Sequence, residues 1–256
     1  MLELYLYSTI AIFIYMVIIF IIAQVKIDNS IVDIAWGIGF VIVSFVSLFY
    51  TQEYALRQML VVGLVTVWGV RLALFIWYRS IGKGEDFRYV NFRKNWGDKA
   101  RSRAFFKVFM LQGAILLVLA YPILRVHASP DPGIDLFMFI GSIMWLIGFL
   151  FQAVGDQQLE RFKRTKIRKE QILKTGLWRY SRHPNYFGEV LMWWGIFVII
   201  FPVNLGWTAG FSALLITTLL LRVSGVPLLD KRYKDNADYQ QYKKETNNFI
   251  PWFPKQ

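Results

Sequence analysis

The sequence predicts an all-α, polytopic membrane protein: one integral membrane domain of seven transmembrane helices, with the N-terminus outside and the C-terminus in the cytoplasm. Three observations predict it. First, 56% of the 256 residues are apolar and 18% charged, with mean hydropathy +0.41, whereas soluble domains carry about 45–50% and about 25%. Second, the apolar residues come in blocks of about 20, the length at which a helix crosses a hydrocarbon core. Third, the cations avoid those blocks: 24 of the 29 Lys and Arg lie in segments 79–107, 156–182 and 229–256. Spread evenly, a net charge of +12 would suit nucleic acid. Gathered between spans it sets orientation and suits anionic lipid or an anionic ligand, so no nucleic-acid partner is expected. The absence of cysteine excludes disulfides, thiol catalysis and Cys-based metal sites.

In order, the first span is expected over about 4–25. Nothing basic precedes it and it is long enough to cross, so it reads as a span and not a removable signal. The second is expected over about 31–50 and the third over about 54–78, ending at a basic loop, 79–103. The fourth covers about 104–124, with Pro122 near its end. The link 125–133, with two prolines and a glycine, reads as a turn-rich outer loop. The fifth span, about 134–154, runs into a charged cytoplasmic segment, 155–184. The sixth, about 185–201, turns sharply at Pro202 into the seventh, about 205–229. A tyrosine-rich cytoplasmic tail, 230–256, follows.

Five ionisable residues fall within or at the edge of these spans: Asp33, Arg71, Asp156, Glu189 and Arg222. In the expected topology all five lie in the cytoplasmic third of the membrane. Charge at that depth is costly unless paired or functional, and five such residues predict a polar cavity open to the cytoplasm. Isolated interhelical pairs or snorkelling side chains are the alternative.

The stretch 176–195 adds geometry. Pro184 suits the first turn of a helix, which places Asn185 and Glu189 on one face, a turn apart. Arg179, Tyr180, Arg182 and His183 lie just before that helix start, where free N–H groups favour an anion. Together they suit a phosphate-bearing nucleotide. His183 is a poor candidate metal ligand, because His127, the other histidine, is expected on the opposite side; no metal is predicted. The run from Asp156 to Lys169 reads equally as an amphipathic helix on anionic lipid or as a basic clamp for a dinucleotide. Gly82-Lys83-Gly84 lacks the full glycine fingerprint of a dinucleotide fold, though Glu85, Asp86 or Arg88 remains open as a ligand contact.

The stretch 176–189, Gly-Leu-Trp-Arg-Tyr-Ser-Arg-His-Pro-Asn-Tyr-Phe-Gly-Glu, resembles the C-terminal motif of the steroid 5-alpha-reductase family, closest to its bacterial DUF1295 branch. The wider superfamily includes sterol reductases and isoprenylcysteine carboxyl methyltransferases. Residues 28–37, 68–72, 84–89, 223–230 and the tail extend the resemblance along most of the chain. It implies a seven-helix bundle in a bacterial inner membrane that binds NADPH from the cytoplasm. The implied reaction is hydride transfer to a double bond conjugated with a carbonyl. It also implies that Asn185 and Glu189 meet the nicotinamide, that Asp156 contacts the cofactor, and that Arg71, Arg222, Arg164 and Arg179 lie near its phosphates. The family holds the substrate ketone between a glutamate and a tyrosine. Here the nearest residues are Asp33, or Asn29, and Trp68, whose indole donates a hydrogen bond but not a proton as a phenol does.

The expectation is therefore an NADPH-dependent reductase of an apolar, steroid-like or isoprenoid lipid, in contact with membrane lipids. A membrane methyltransferase using S-adenosylmethionine, or a lipid-binding protein without chemistry, are the competing readings.

Overall fold

In the computed structural model the described residues are 1–168, 170–223 and 225–254, and they contain helices and no strand. Lys169 of the basic run, Ser224 of the 223–230 stretch, and Lys255 and Gln256 of the tail lie outside the described residues. Among the described residues six helices are long and apolar enough to cross a membrane: Leu2–Lys26, Ile31–Thr51, Leu56–Ser80, Phe87–Leu119, Leu136–Thr165 and Gly206–Val223. A further apolar helix, Pro184–Ile200, is shorter. The chain forms two compact units. The N-terminal unit is Met1–Ile134 with Pro202–Ala209, and the C-terminal unit holds the rest.

The N-terminal unit contains α1 (Leu2–Lys26), α2 (Ile31–Thr51), α3 (Leu56–Ser80), α4 (Phe87–Trp96), α5 (Ala100–Ala104), α6 (Leu111–Leu119) and α7 (Tyr121–His127). Helix α2 is its centre, packed against α1, α3, α6 and α7. The α2–α3 crossing brings backbones together at Gly37 and Gly69, where a Cβ on Gly69 would lie 2.5 Å from the Gly37 carbonyl oxygen. Small residues permit that approach, and close packing is what holds helices together in lipid.

Two expected boundaries differ here. The basic loop 79–103 is largely helical, because Asp86 caps α4 by accepting the Arg88 N–H at 3.0 Å. The helix then continues through a π-helical turn, Phe105–Met110, to α6. The fourth span, expected to reach about 124, ends at Leu119, and Pro122 sits in the first turn of a separate helix, α7, as its missing N–H allows. Arg125 and His127, expected in a loop, are therefore helical and buried. Arg125 donates to the Asn204 carbonyl. Arg57, fully buried, pairs with Asp131 at 3.0 Å and donates to the Gly133 carbonyl at 2.6 Å.

The C-terminal unit contains α8 (Leu136–Thr165), α9 (Pro184–Ile200), α10 (Gly210–Thr218), α11 (Val226–Arg232) and α12 (Ala237–Glu245). Asp135 caps α8 by accepting the Met138 N–H at 3.0 Å. Helices α8 and α9 form the unit's main packing, and glycines recur every seven residues along it: 141, 148 and 155 on α8, 188 and 195 on α9. Seven residues return a helix to nearly the same face, so each set makes one smooth stripe. A Cβ on Gly148 would lie 2.6 Å from the Gly188 carbonyl oxygen, and one on Gly195 would lie 2.7 Å from that of Gly141. This interlock fixes the antiparallel register, which sets Gln152 beside Glu189 and Asp156 beside Asn185. Beyond α10 a π-helical turn, Leu219–Val223, precedes α11, so the expected span 205–229 is not one continuous helix.

The glycine stripe carries a prediction. Gly188→Ala would put its methyl 2.5 Å from the Gln152 backbone nitrogen, with no flexible side chain able to yield. Overpacking of this kind costs about 1–3 kcal/mol. The expected result is a lower unfolding temperature in detergent, whereas Gly63→Ala, where a Cβ meets nothing within 4 Å, leaves it unchanged.

Candidate functional site

In the C-terminal unit the predicted helix start is observed. Pro184 is the first residue of α9, and Asn185 and Glu189 lie a turn apart on the face that meets α8. The Gln152 amide donates to Glu189 at 3.0 Å, and the Asn185 amide donates to Asp156 at 3.0 Å. Two carboxamides and two carboxylates thus form a ladder of two rungs between the helices. Gln152 and Asp156 are buried and Asn185 and Glu189 half-buried. The Gln152 Oε1 atom is buried and accepts no hydrogen bond among the described residues, so the ladder holds an unused acceptor at its Glu189 rung. Buried acceptors are normally satisfied. An unused one beside a carboxylate fits a ligand that presents an amide.

The chain leading into α9 is held from both sides. The Trp178 indole donates to the Gly155 carbonyl at 3.1 Å, and Leu177 N–H donates to the Gln158 side chain at 3.0 Å. Gly176 takes φ 63° directly against the Gln158 amide, where a Cβ would lie 2.5 Å from it. On the other side the tail wraps over residues 178–182. The Tyr242 hydroxyl donates to the Trp178 carbonyl and the Ser181 hydroxyl donates to the Phe249 carbonyl.

Arg182, expected at a phosphate, is the buried centre of that wrap. Its guanidinium donates to Asp230 at 3.2 Å, to the Tyr239 hydroxyl at 3.3 Å and to Asn248 at 2.9 Å. Both terminal nitrogens are engaged within the protein. Asp230 also accepts from Tyr239 and from Lys243. Against the cost of its burial, these bonds hold the carboxyl below the usual range.

His183 is 1% exposed and stacks parallel on Tyr186 at 5.4 Å. Neither ring nitrogen has a hydrogen-bond partner among the described residues. Burial, reinforced by the Arg182 charge, pushes its pKa down to about 4. The unfolded chain protonates near 6.5, so between those values it binds a proton that the folded protein refuses. Stability is then lost as pH falls, by about 2 kcal/mol at pH ~5. The depressed Asp230 carboxyl acts in the same direction. The expected result is an unfolding temperature that drops below pH ~6.5 and drops less steeply in His183→Gln.

The other predicted residues of this unit are more open. Arg164 is exposed and pairs with Glu160 at 3.1 Å. Arg179 is exposed, 6.0 Å from the Tyr180 ring, and the half-buried Tyr180 packs edge-on against Phe253. Arg222 is exposed on the π-helical turn.

In the N-terminal unit Asp33 is not a free acid. It accepts from Arg88 at 2.6 Å and from the Tyr89 hydroxyl at 2.7 Å. Arg88 donates in addition to Asp86 at 2.9 Å. Glu85 accepts the Asn29 N–H at 2.8 Å and pairs with Arg93 at 2.9 Å. The loop before α4 and the first turn of α4 thus bring a carboxylate, an arginine and a phenol to the start of α2. Trp68 is buried, edge-on to Phe40 at 5.3 Å. Arg71 is half-buried, 5.0 Å from the Phe75 ring.

The five embedded ionisable residues therefore divide between the units: Asp33 and Arg71 in one, Asp156, Glu189 and Arg222 in the other. Sequence reasoning missed Gln152, Tyr89 and Asp230. Gln152 had a signal, being four residues before Asp156 and so on the same helical face. Tyr89 and Asp230 close two of the stretches that carry the resemblance, 84–89 and 223–230, but their partners were visible only in the fold.

With six membrane-length helices among its described residues the protein is an integral membrane protein, and in its C-terminal unit a polar ladder lies between α8 and α9. The chain belongs to the family described as "Protein of unknown function (DUF1295)", whose model matches residues 19–246. It is similar to the bovine (Bos taurus) protein 3-oxo-5-alpha-steroid 4-dehydrogenase 1, at 34% identity over 67 residues, 26% of each chain. It is also similar to the uncharacterized protein C594.04c of Schizosaccharomyces pombe, at 27% identity over 194 residues, 65% of this chain and 56% of that one. The chain thus spans about a quarter and about half the length of these relatives. No solved structure matches it.

Proposed function

We propose that the protein is a membrane-embedded, NADPH-dependent reductase of a carbon–carbon double bond conjugated with a carbonyl in an apolar, steroid-like or isoprenoid substrate. The observation that carries this reading is the partly buried ladder of Gln152, Glu189, Asp156 and Asn185, with its unused amide acceptor. The family supports it, as does the similarity to a protein named as a 3-oxo-5-alpha-steroid 4-dehydrogenase. In this reading α9 is a seventh span. Its Pro184 end, the basic run after Asp156 and the tail face the cytoplasm, as the cation distribution predicts.

The residues present fit such a cofactor. Gln152 and Glu189 offer an acceptor pair for a carboxamide N–H₂. Asn185 and Asp156 orient the α9 face a turn away, and the exposed Arg164 and Arg179 suit phosphates. NADPH, when bound, supplies the hydride and its driving force. The protein's own part is to fix the amide's orientation, keep the helix pair dry through close glycine packing, and hold the α9 entrance rigid through Arg182. Arg71 and Arg222 are assigned to the cofactor by the resemblance, and His183 supports Tyr186 by stacking. In the N-terminal unit the Tyr89 O–H is committed to Asp33, which also holds Arg88. Asp33 and Trp68 take their place near the substrate carbonyl from the resemblance alone.

Isotope transfer tests the reading. The purified protein in lipid, given NADPH deuterated at the nicotinamide C4 and a panel of apolar enones, should yield a saturated ketone carrying deuterium at the β-carbon. A methylated product formed from S-adenosylmethionine instead would overturn it.

A further inference from the structure

The tail ends in an apolar surface that the site does not use. Ile250, Trp252 and Phe253 are 65%, 69% and 70% exposed, in a segment without regular structure. Three large apolar side chains close together in water are unfavourable, yet the backbone carrying them is tightly held. Trp252 N–H donates to the Tyr180 carbonyl at 3.0 Å, and the Phe249 carbonyl accepts from Ser181 at 2.7 Å. Phe253 meets the Tyr180 ring edge-on at 6.1 Å. The segment is therefore pinned, side chains outward, to residues 180 and 181, which lie just before α9.

The length of α9 decides what covers it. At 17 residues and 1.5 Å per residue the helix spans about 25 Å, short of the ~30 Å hydrocarbon core. The residues leading into it must then sit at the level where acyl chains meet headgroups, and whatever is bonded to them sits there too. Trp is at home at that level, its ring apolar and its N–H able to reach headgroups. The exposed Arg179, next to Tyr180, adds a positive charge suited to an anionic leaflet.

We infer that Ile250, Trp252 and Phe253 form an interfacial anchor that inserts into the lipid leaflet at the Pro184 end of α9. The tail is thereby fastened twice, to the protein through Arg182 and to the lipid through this apolar cluster. The inference rests on α9 crossing the bilayer, as proposed above.

Because the chain has no cysteine, Trp252→Cys, Lys244→Cys and Val198→Cys each create one labelling site for a polarity-sensitive fluorophore. The full-length protein is placed in vesicles of phosphatidylcholine and phosphatidylglycerol containing doxyl-labelled phosphatidylcholine. The probe at Trp252 should emit as from an apolar interface and be quenched by shallow doxyl groups several-fold more than the probe at exposed Lys244. The same experiment with Ile250→Cys should agree, which guards against a local disturbance at Trp252. Val198, midway along the second half of α9, reports on the helix itself. Water-like, unquenched emission at Trp252 with strong quenching at Val198 overturns the anchor and leaves the α9 span standing. Apolar emission at Trp252 without doxyl quenching marks a surface covered by protein, and also overturns it. No quenching at Val198 overturns the span and the anchor together.

Discussion

Glu189→Ala is expected to weaken NADPH binding roughly a hundredfold, a loss of about 3 kcal/mol, with the helices left in place. Glu189 accepts the Gln152 amide at 3.0 Å, and Gln152 already has an acceptor without a partner. Removing the carboxylate leaves the whole Gln152 carboxamide loose in a buried place, so the group that would orient a cofactor amide is lost along with the charge. Truncating one partner of a buried polar pair costs more than the pair contributes, because the other partner stays desolvated. Glu189→Gln keeps the shape and should lose less. Glu160→Ala, which removes the carboxylate paired with Arg164, should change affinity by severalfold at most, since the Arg164 end of that pair is exposed to solvent. Fluorescence titration of each variant, alongside its helical circular dichroism, checks both parts.

Arg182→Met is expected to free the tail. The guanidinium is 6% exposed and joins Asp230, Tyr239 and Asn248. Its loss leaves Asp230 with Tyr239 and Lys243 alone. Breaking a buried pair costs about 3–5 kcal/mol, and Asp230, at 28% exposed, argues for the low end, about 3 kcal/mol. For a chain of this size that lowers the unfolding temperature by on the order of 10 °C. Residues 237–254 should become sensitive to protease while the helices in detergent remain protected. Arg182→Lys keeps the charge but not the planar fork that reaches three partners, so it should recover only part of the loss.

Much of the architecture was legible because lipid makes strong demands on sequence. Apolar length announced α1, α2 and α3 to within a few residues, and the start but not the end of α8, and Pro184 marked the start of α9. Asn185 and Glu189 could be placed on one face by spacing alone. Their partners were half-visible: Asp156 stood out as a charge in an apolar context, whereas Gln152 was an ordinary polar residue. The seven-residue glycine spacing on α8 and α9 was present in the sequence but hidden from hydropathy, which counts glycine as neither core nor loop.

Partners distant in sequence were not legible. Asp33 stood out, but Arg88 and Tyr89 lie 55 and 56 residues away, in a segment whose charge density reads as loop. Asp86, an ordinary helix cap, is what turns that segment into α4. Arg182 was assigned to a ligand because local context, basic residues before a helix, favours an anion. The anion it meets is Asp230, 48 residues on.

The central claim, that the polar ladder of α8 and α9 receives NADPH, is tested most directly by equilibrium titration of the purified wild-type protein with NADPH and, in parallel, with S-adenosylmethionine. The account predicts saturable binding of NADPH, lost in Glu189→Ala, and none of S-adenosylmethionine. Saturable binding of S-adenosylmethionine with none of NADPH would contradict it.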